Sequence, residues 1–205
     1  MEQVFVDKYD YDGDSANYDD LQNVDIMRCI DRRKGMPITL SILVMALCEK
    51  SGWSVAGLNF PGHFLVQMDK DGQRLIVDPF QGCKVLAAPD LRLLIKKHMG
   101  RDAELSSDYY APCSNREILL RLQNNIKYRL IESEHYNEAL QVVELMLVFA
   151  PGDNRLRLDM AVLLSRLGQH GGAIEYLQSY IDTLGDGADK EEALLFMKEL
   201  MYQLN

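Results

Sequence analysis

No uninterrupted apolar run in the chain approaches the ~18 residues that a membrane-spanning helix needs. The opening residues, MEQVFVDKYDYDG, hold no apolar signal core. No CxxC pair occurs: Cys29, Cys48, Cys83 and Cys113 stand apart, and His63, His98, His135 and His170 share no metal-ligand spacing. A zinc site is thereby excluded, and no resident metal or cofactor is expected. A phosphate-cradling glycine loop is also missing, because GDGADK at 185–190 lacks the preceding strand and the Walker spacing. Positive charge is scarce: Lys+Arg number 22 against 31 Asp+Glu, a formal net charge of −9. That balance excludes binding to nucleic acid or to an anionic membrane driven by net electrostatics. A cytoplasmic protein with reduced thiols is expected.

What remains is an ordinary globular composition, 47% hydrophobic and 26% charged over 205 residues. That length suits one large domain or two small ones and can bury a core without disulfides. The charge is uneven. Residues 1–25 carry Glu2, Asp7, Asp10, Asp12, Asp14, Asp19, Asp20 and Asp25 against Lys8 alone. Asp10, Asp12 and Asp14 lack the glycine and closing glutamate of a calcium loop, so an acidic surface loop is expected. The run ITLSILVMALCE at 38–49 is apolar nearly all round and predicts a buried helix. Pro37 fits its start and Lys50–Ser51–Gly52 its end. Three short apolar runs follow: WSVAGLNF, HFLVQM and RLIVDPF. The segment HFLVQMDKDGQRLIVD predicts a hairpin with an Asp–Gly turn. DLRLLIKKHMG at 90–100 has helical spacing with Asp90 as its N-cap, and 101–113 reads as a loop broken at Pro112. A helix buried on a small antiparallel sheet gives an α+β first half, 1–113.

From Ser114 every period is helical, and the second half repeats at a shift of 34 residues. Ala139 falls on Ala173, Leu140 on Ile174, Val143 on Leu177 and Leu147 on Ile181; Ile126 falls on Met160 and Leu130 on Leu164. This resembles a pair of tetratricopeptide repeats, with DKEEALLFMKELMYQLN at 189–205 as a capping helix. One departure stands out: Lys127 fills a position that is usually small and is Ala161 in the second repeat. Such stacks bind peptides on a concave face, which here would present Arg121, Asn124, Asn125, Tyr128 and Glu132, then Arg155, Leu158, Asp159, Val162 and Arg166. Packing against the first half competes for the same face.

The run RRKGMPITLSILVMALCEKSGW…GLNFPGHFLV…LIVDPFQG, followed by two such repeats, resembles the SirB-type, invasion-regulator-like proteins of the transglutaminase-like superfamily. The resemblance covers about Asp19 to Gly185. It implies a papain-related core followed by the helical stack. Relatives of this type carry a further helical segment before the acidic stretch, so a truncated or shorter version is expected. In catalytic relatives a cysteine opens the buried helix, and a histidine and an aspartate on the next strands complete a triad. A thiolate is the nucleophile, the helix N-terminus and an imidazolium lower its pKa, and the carboxylate orients the ring. The resemblance matches His63 to the triad histidine and Asp78 to its aspartate. It puts Pro37, which has no nucleophilic atom, where the cysteine would be.

Thr39 and Ser41 are displaced from that position and are weak nucleophiles unless activated. Cys29 and Cys83 are the candidates for a relocated thiol; Cys48 reads as core and Cys113 as inert linker. His63 and Asp78 are expected to persist as a structural pair. Arg32–Lys34 are expected to pair with the acidic segment rather than with a partner's carboxylate. Arg92, Lys96, Lys97, His98 and Arg101 read as a solvated helix face, and the scattered methionines as core filling. The function expected is therefore a non-catalytic protein-interaction or regulatory module with a protein or peptide partner. The alternative is a cysteine-dependent amide-bond hydrolase, protease or acyltransferase that uses Cys29 or Cys83 with His63 and Asp78.

Overall fold

The computed structural model describes residues 3–204 and divides into two compact units between Leu122 and Gln123. The division falls inside a helix, not after residue 113. The first turns of that helix belong to the first unit because Ile118 and Leu122 are buried there.

The first unit opens with a π-helical turn, Gln3–Lys8, that buries Phe5 and stacks it on Tyr11 at 4.5 Å. Strand β1 (Asp12–Gly13) then pairs in parallel with β2 (Lys34–Gly35). Between them lies α1 (Ile26–Arg32), whose first N–H groups, at Met27 and Arg28, are accepted by the Asp25 carboxylate. Helix α2 (Pro37–Lys50) begins where proline loses nothing by lacking an N–H, and it buries Ile38, Leu40, Val44 and Cys48. Thr39 Oγ1 ties its start down, accepting the Met36 N–H at 3.1 Å and donating to Asn23 O at 2.7 Å.

Strands β3 (Ser54–Leu58), β4 (Leu65–Lys70), β5 (Gln73–Asp78) and β6 (Lys84–Val85) form one antiparallel sheet in sequence order. Asp71 and Gly72, both at positive φ, make the tight turn between β4 and β5 that matches the twist of a hairpin. Period-two alternation sends Val66, Met68 and Val77 onto α2, while Leu58, Leu65 and Ile76 meet α3 (Ala88–Met99) through Leu91 and Ile95. The sheet is thus covered on both faces, and removing one core side chain such as Leu40 would cost about 2–5 kcal/mol.

Helix α3 corrects one expectation. Its cap is Ala87, and Asp90 sits one turn in, its carboxylate reaching back to accept the Ala87 N–H at 3.0 Å. Pro89 near the helix start has no N–H to offer a cap. The loop at 101–113 contains a 3-10 turn, Ser107–Tyr110, and Pro112 bridges to Leu58.

Helix α4 (Asn115–Glu132) crosses into the second unit, where α5 (Tyr136–Phe149), α6 (Asn154–Arg166), α7 (His170–Ile181) and α8 (Ala188–Leu204) complete the stack. Ala139, Ala161 and Ala173 are fully buried and let helices approach closely. Helices α6 and α7 pack along their lengths. Lys127 makes the two repeats unlike, since it puts a long side chain where the second repeat has Ala161. Its ammonium is buried and meets the Asp159 carboxylate on α6 at 2.5 Å. Among the described residues, no helix is long and apolar enough to cross a membrane.

A buried charge left without its partner is costly, while a buried pair replaced by apolar packing is nearly neutral. Asp159→Ala should therefore lower unfolding stability by about 3–5 kcal/mol in urea titrations. Lys127→Met should cost much less, because the Asp159 carboxylate it leaves is 31% exposed and can be hydrated, and equal losses from the two would contradict this reading.

Candidate functional site

The turn Phe60–His63 delivers His63 to the end of β4. Gly62 takes a positive φ of 69° there, and the His63 N–H bonds Phe60 O at 3.0 Å. Helix α4 fixes this turn from outside it. Arg121 donates to the His63 carbonyl at 2.8 Å, donates to the Asn59 side chain, and lies over the Phe64 ring. Burial holds the Arg121 guanidinium below its ordinary pKa.

Asp78 is fully buried where β5 runs into a 3-10 turn. Its carboxylate accepts from the Phe80 N–H at 3.0 Å, from Gln81 Nε2 at 2.7 Å and from His63 Nε2 at 2.9 Å. A carboxylate only accepts, so Nε2 of His63 carries a proton on the side that faces Asp78. The His63 ring is 8% exposed and meets the Phe80 ring edge-on at 6.2 Å.

A cleft of about 670 Å³ opens beside His63. It is lined by Leu94, Lys97 and His98 of α3, by Ser15 and Tyr18, and by Phe80 and Gln81. The His98 ring stacks near His63, with centroids 6.3 Å apart. Partial burial, with the positive charges of His63 and Lys97, holds the His98 imidazole below its ordinary pKa. Sequence reasoning missed both Lys97 and His98, which looked like a solvated helix face. The one available signal was the glycine before His63: a Cβ at Gly62 would lie 2.4 Å from the His98 ring.

The wall carrying Ser15 and Tyr18 is a strap held by a buried network. Asp14 accepts from Asn17 N–H at 3.1 Å and from Arg32 at 2.7 Å, and Arg32 also donates to the Asn23 side chain at 3.0 Å. Asp14 was expected on an acidic surface loop but is 2% exposed, because pairing with Arg32 lets it turn inward. Of the Arg32–Lys34 cluster, Arg33 and Lys34 stay exposed.

The thiols lie elsewhere. Cys29 is buried beside Gly35 and Thr39, with its Sγ 3.3 Å from Asn23 O. Burial pushes its pKa up, and neither the Thr39 hydrogen bond nor the charge of Arg32 reverses that. Cys83 is buried in the core under α2, and neither it nor Cys29 walls the cleft. Burial also raises the thiols of Cys48 and Cys113.

Several of the residues expected on a repeat groove have partners within the protein. Arg121 belongs to the first unit and is engaged with the His63 turn. Asn125 accepts from Arg129 at 3.2 Å, and Asp159 is paired with Lys127. Asn124 is half-buried on α4, while Tyr128, Arg155 and Arg166 are exposed on α4 and α6.

Residues 1–124 match the sequence profile of the transglutaminase-like superfamily, and residues 126–197 that of the tetratricopeptide repeat. A UPF0162 protein of Vibrio cholerae is 30% identical over 181 residues, which is 88% of this chain and 67% of that protein. A UPF0162 protein of Xylella fastidiosa strain Temecula1 is 28% identical over 177 residues, 85% of this chain and 63% of that protein. Human F-box only protein 21 is 24% identical over 180 residues, 82% of this chain but 28% of that protein. The chain therefore spans about two thirds of the length of these UPF0162 relatives. No solved structure matches it significantly.

The net effect of its partners holds the Asp14 carboxyl below its ordinary value of 3.8: burial raises it, but the Asn17 and Arg32 contacts together outweigh burial. A lowered folded pKa gives stability that is complete above 3.8 and is lost as pH falls through the folded value. Asp14→Asn should thus be less stable than the wild type by about 1–3 kcal/mol at pH 7. In chemical denaturation the gap should narrow below pH ~4, and a pH-independent gap would refute the ion pair.

Proposed function

The chain belongs to the transglutaminase-like superfamily, and from that premise we propose that it is a protein-interaction module that has kept the family's cleft but not its nucleophile. The observation that carries this reading is an asymmetry. The His63–Asp78 hydrogen bond is formed at 2.9 Å, while the helix that would present a thiol begins with Pro37. Nucleophilic catalysis by cysteine needs a thiolate within reach of a base. Cys29, the thiol nearest the start of α2 in the fold, is held protonated by burial and packed against Gly35 and Thr39. In this reading His63 and Asp78 shape and polarise a binding cleft, and Asp78 also holds the Phe80–Gln81 turn that floors it.

Tetratricopeptide repeats generally mediate protein–protein contact, and the repeat region supplies the second half of the proposal. Tyr128, Arg155 and Arg166 are its exposed polar and aromatic candidates for meeting a partner. Asp159 and Asn125 serve inside the stack and are assigned no role in recognition.

Alkylation of the intact protein by iodoacetamide at pH 7, followed by mass, tests the absence of a nucleophile. All four thiols should react at least roughly tenfold more slowly than free cysteine, with no change in His63→Ala. One cysteine reacting much faster than the rest, and slowing in His63→Ala, would establish an enzyme instead. For the repeat region, Arg155→Glu with Arg166→Glu in the full chain should abolish recovery of a co-purified partner while leaving the unfolding midpoint unchanged. Undiminished recovery would remove these arginines from the interface.

A further inference from the structure

We propose that the cleft beside His63 is a carboxylate site that takes the C-terminus of a peptide whose last side chain is aliphatic. The inference rests on the reading of this cleft as one that binds without cleaving.

Charge is the first argument. The protein carries a net charge of −9, yet among the described residues no Asp or Glu walls this cleft, whose titratable walls are His63, Lys97, His98 and Tyr18. Asp78 lies behind His63, with its oxygens already accepting from His63, Gln81 and the Phe80 N–H. Asp90 borders only the adjoining depression and is paired with Lys84 at 3.0 Å. An anion entering the cleft therefore meets an ammonium and imidazoles in its lining.

Placement is the second. Cations in the last turn of a helix are ordinarily explained by the helix dipole. That account covers Lys96 and Lys97, but it does not require a particular ring position. The His98 ring is seated against Gly62 so closely that a Cβ would stand 2.4 Å away, and it lies within 26° of parallel to His63. His63 itself is more than nine-tenths buried, and its Nδ1 bonds no described residue.

Shape supplies the third. Leu93, Leu94, Lys97 and His98 lie within one and a half turns of α3, so an apolar patch adjoins the cationic end. Leu93 is 71% exposed, and Leu93 and Leu94 both line the adjoining depression of about 250 Å³. A carboxylate held by Lys97 and His98 would have its neighbouring side chain over these leucines. The combined space suits a few terminal residues, not a folded partner.

The test is fluorescence anisotropy of the full chain with fluorescein-labelled Gly-Ser-Gly-Leu as free acid and as C-terminal amide. The free acid should bind at least roughly tenfold more tightly than the amide. Lys97→Ala and His98→Ala should each weaken the acid severalfold, and Leu93→Ser should weaken Gly-Ser-Gly-Leu more than Gly-Ser-Gly-Gly. Equal affinity for acid and amide, no binding, or wild-type affinity in both Lys97→Ala and His98→Ala would overturn the proposal. Displacement of the probe by inorganic phosphate at lower concentration than by unlabelled free-acid peptide would also overturn it, as a phosphate site. Lys97 and His98 are exposed, so both variants should keep the wild-type unfolding midpoint. The recovered peptide is weighed afterwards: a cleaved or acylated product would defeat the non-catalytic reading, while the acid-to-amide ratio judges the carboxylate site separately.

Discussion

A carboxylate with no exposure to water must find its hydrogen bonds within the protein, and Asp78 finds three. Meeting that demand organises the first unit around it. The Phe80 N–H turns the chain out of β5, and Gln81 folds back over the same oxygen that receives His63. Any one of these contacts is worth only about 0.5–3 kcal/mol net, but leaving the carboxylate short of donors is much more expensive. Satisfying the buried carboxylate thus gives His63 a structural use that is independent of any chemistry.

Around this centre the chain is tied by contacts distant in sequence. Gly13 sits so close to the Phe80 carbonyl that a Cβ would fall 2.4 Å from it, and β1 and β2 pair across the whole of α1. Arg32 and Asn23 then hold Asp14, and through it the strap that walls the cleft. Arg121 does equivalent work by holding the His63 carbonyl. Two arginines thus help to position the walls of the site.

Much of the architecture was legible because it is local. The apolar run behind Pro37, the Asp71–Gly72 turn and the offset of 34 residues each encode an element through its own neighbours. The misread residues depend on partners far along the chain. Asp14 looked exposed because its acidic neighbours are, and only Arg32 makes its burial tolerable. Arg121 lies in a helical pattern that runs across both units, and periodicity cannot assign one end of a helix to a different core from the other. Lys97 and His98 sit among other cations, and nothing in α3 itself reveals that Gly62 has left room for a ring. Asp90 was placed three residues from its true role because a proline inside the first turn hides where a helix begins.

Lys127 unsettles the evenness that a repeat suggests. Ala161, Ala173 and Ala193 belong to one apolar cluster that spans α6, α7 and α8, whereas the first repeat gives the position matching Ala161 to a buried ammonium paired with Asp159. Protection from amide hydrogen exchange will accordingly be graded along the stack, weakest where the first repeat opens and deepest toward α7. The array frays from the repeat that carries the lysine, and its cooperative nucleus lies toward the carboxyl-terminal end.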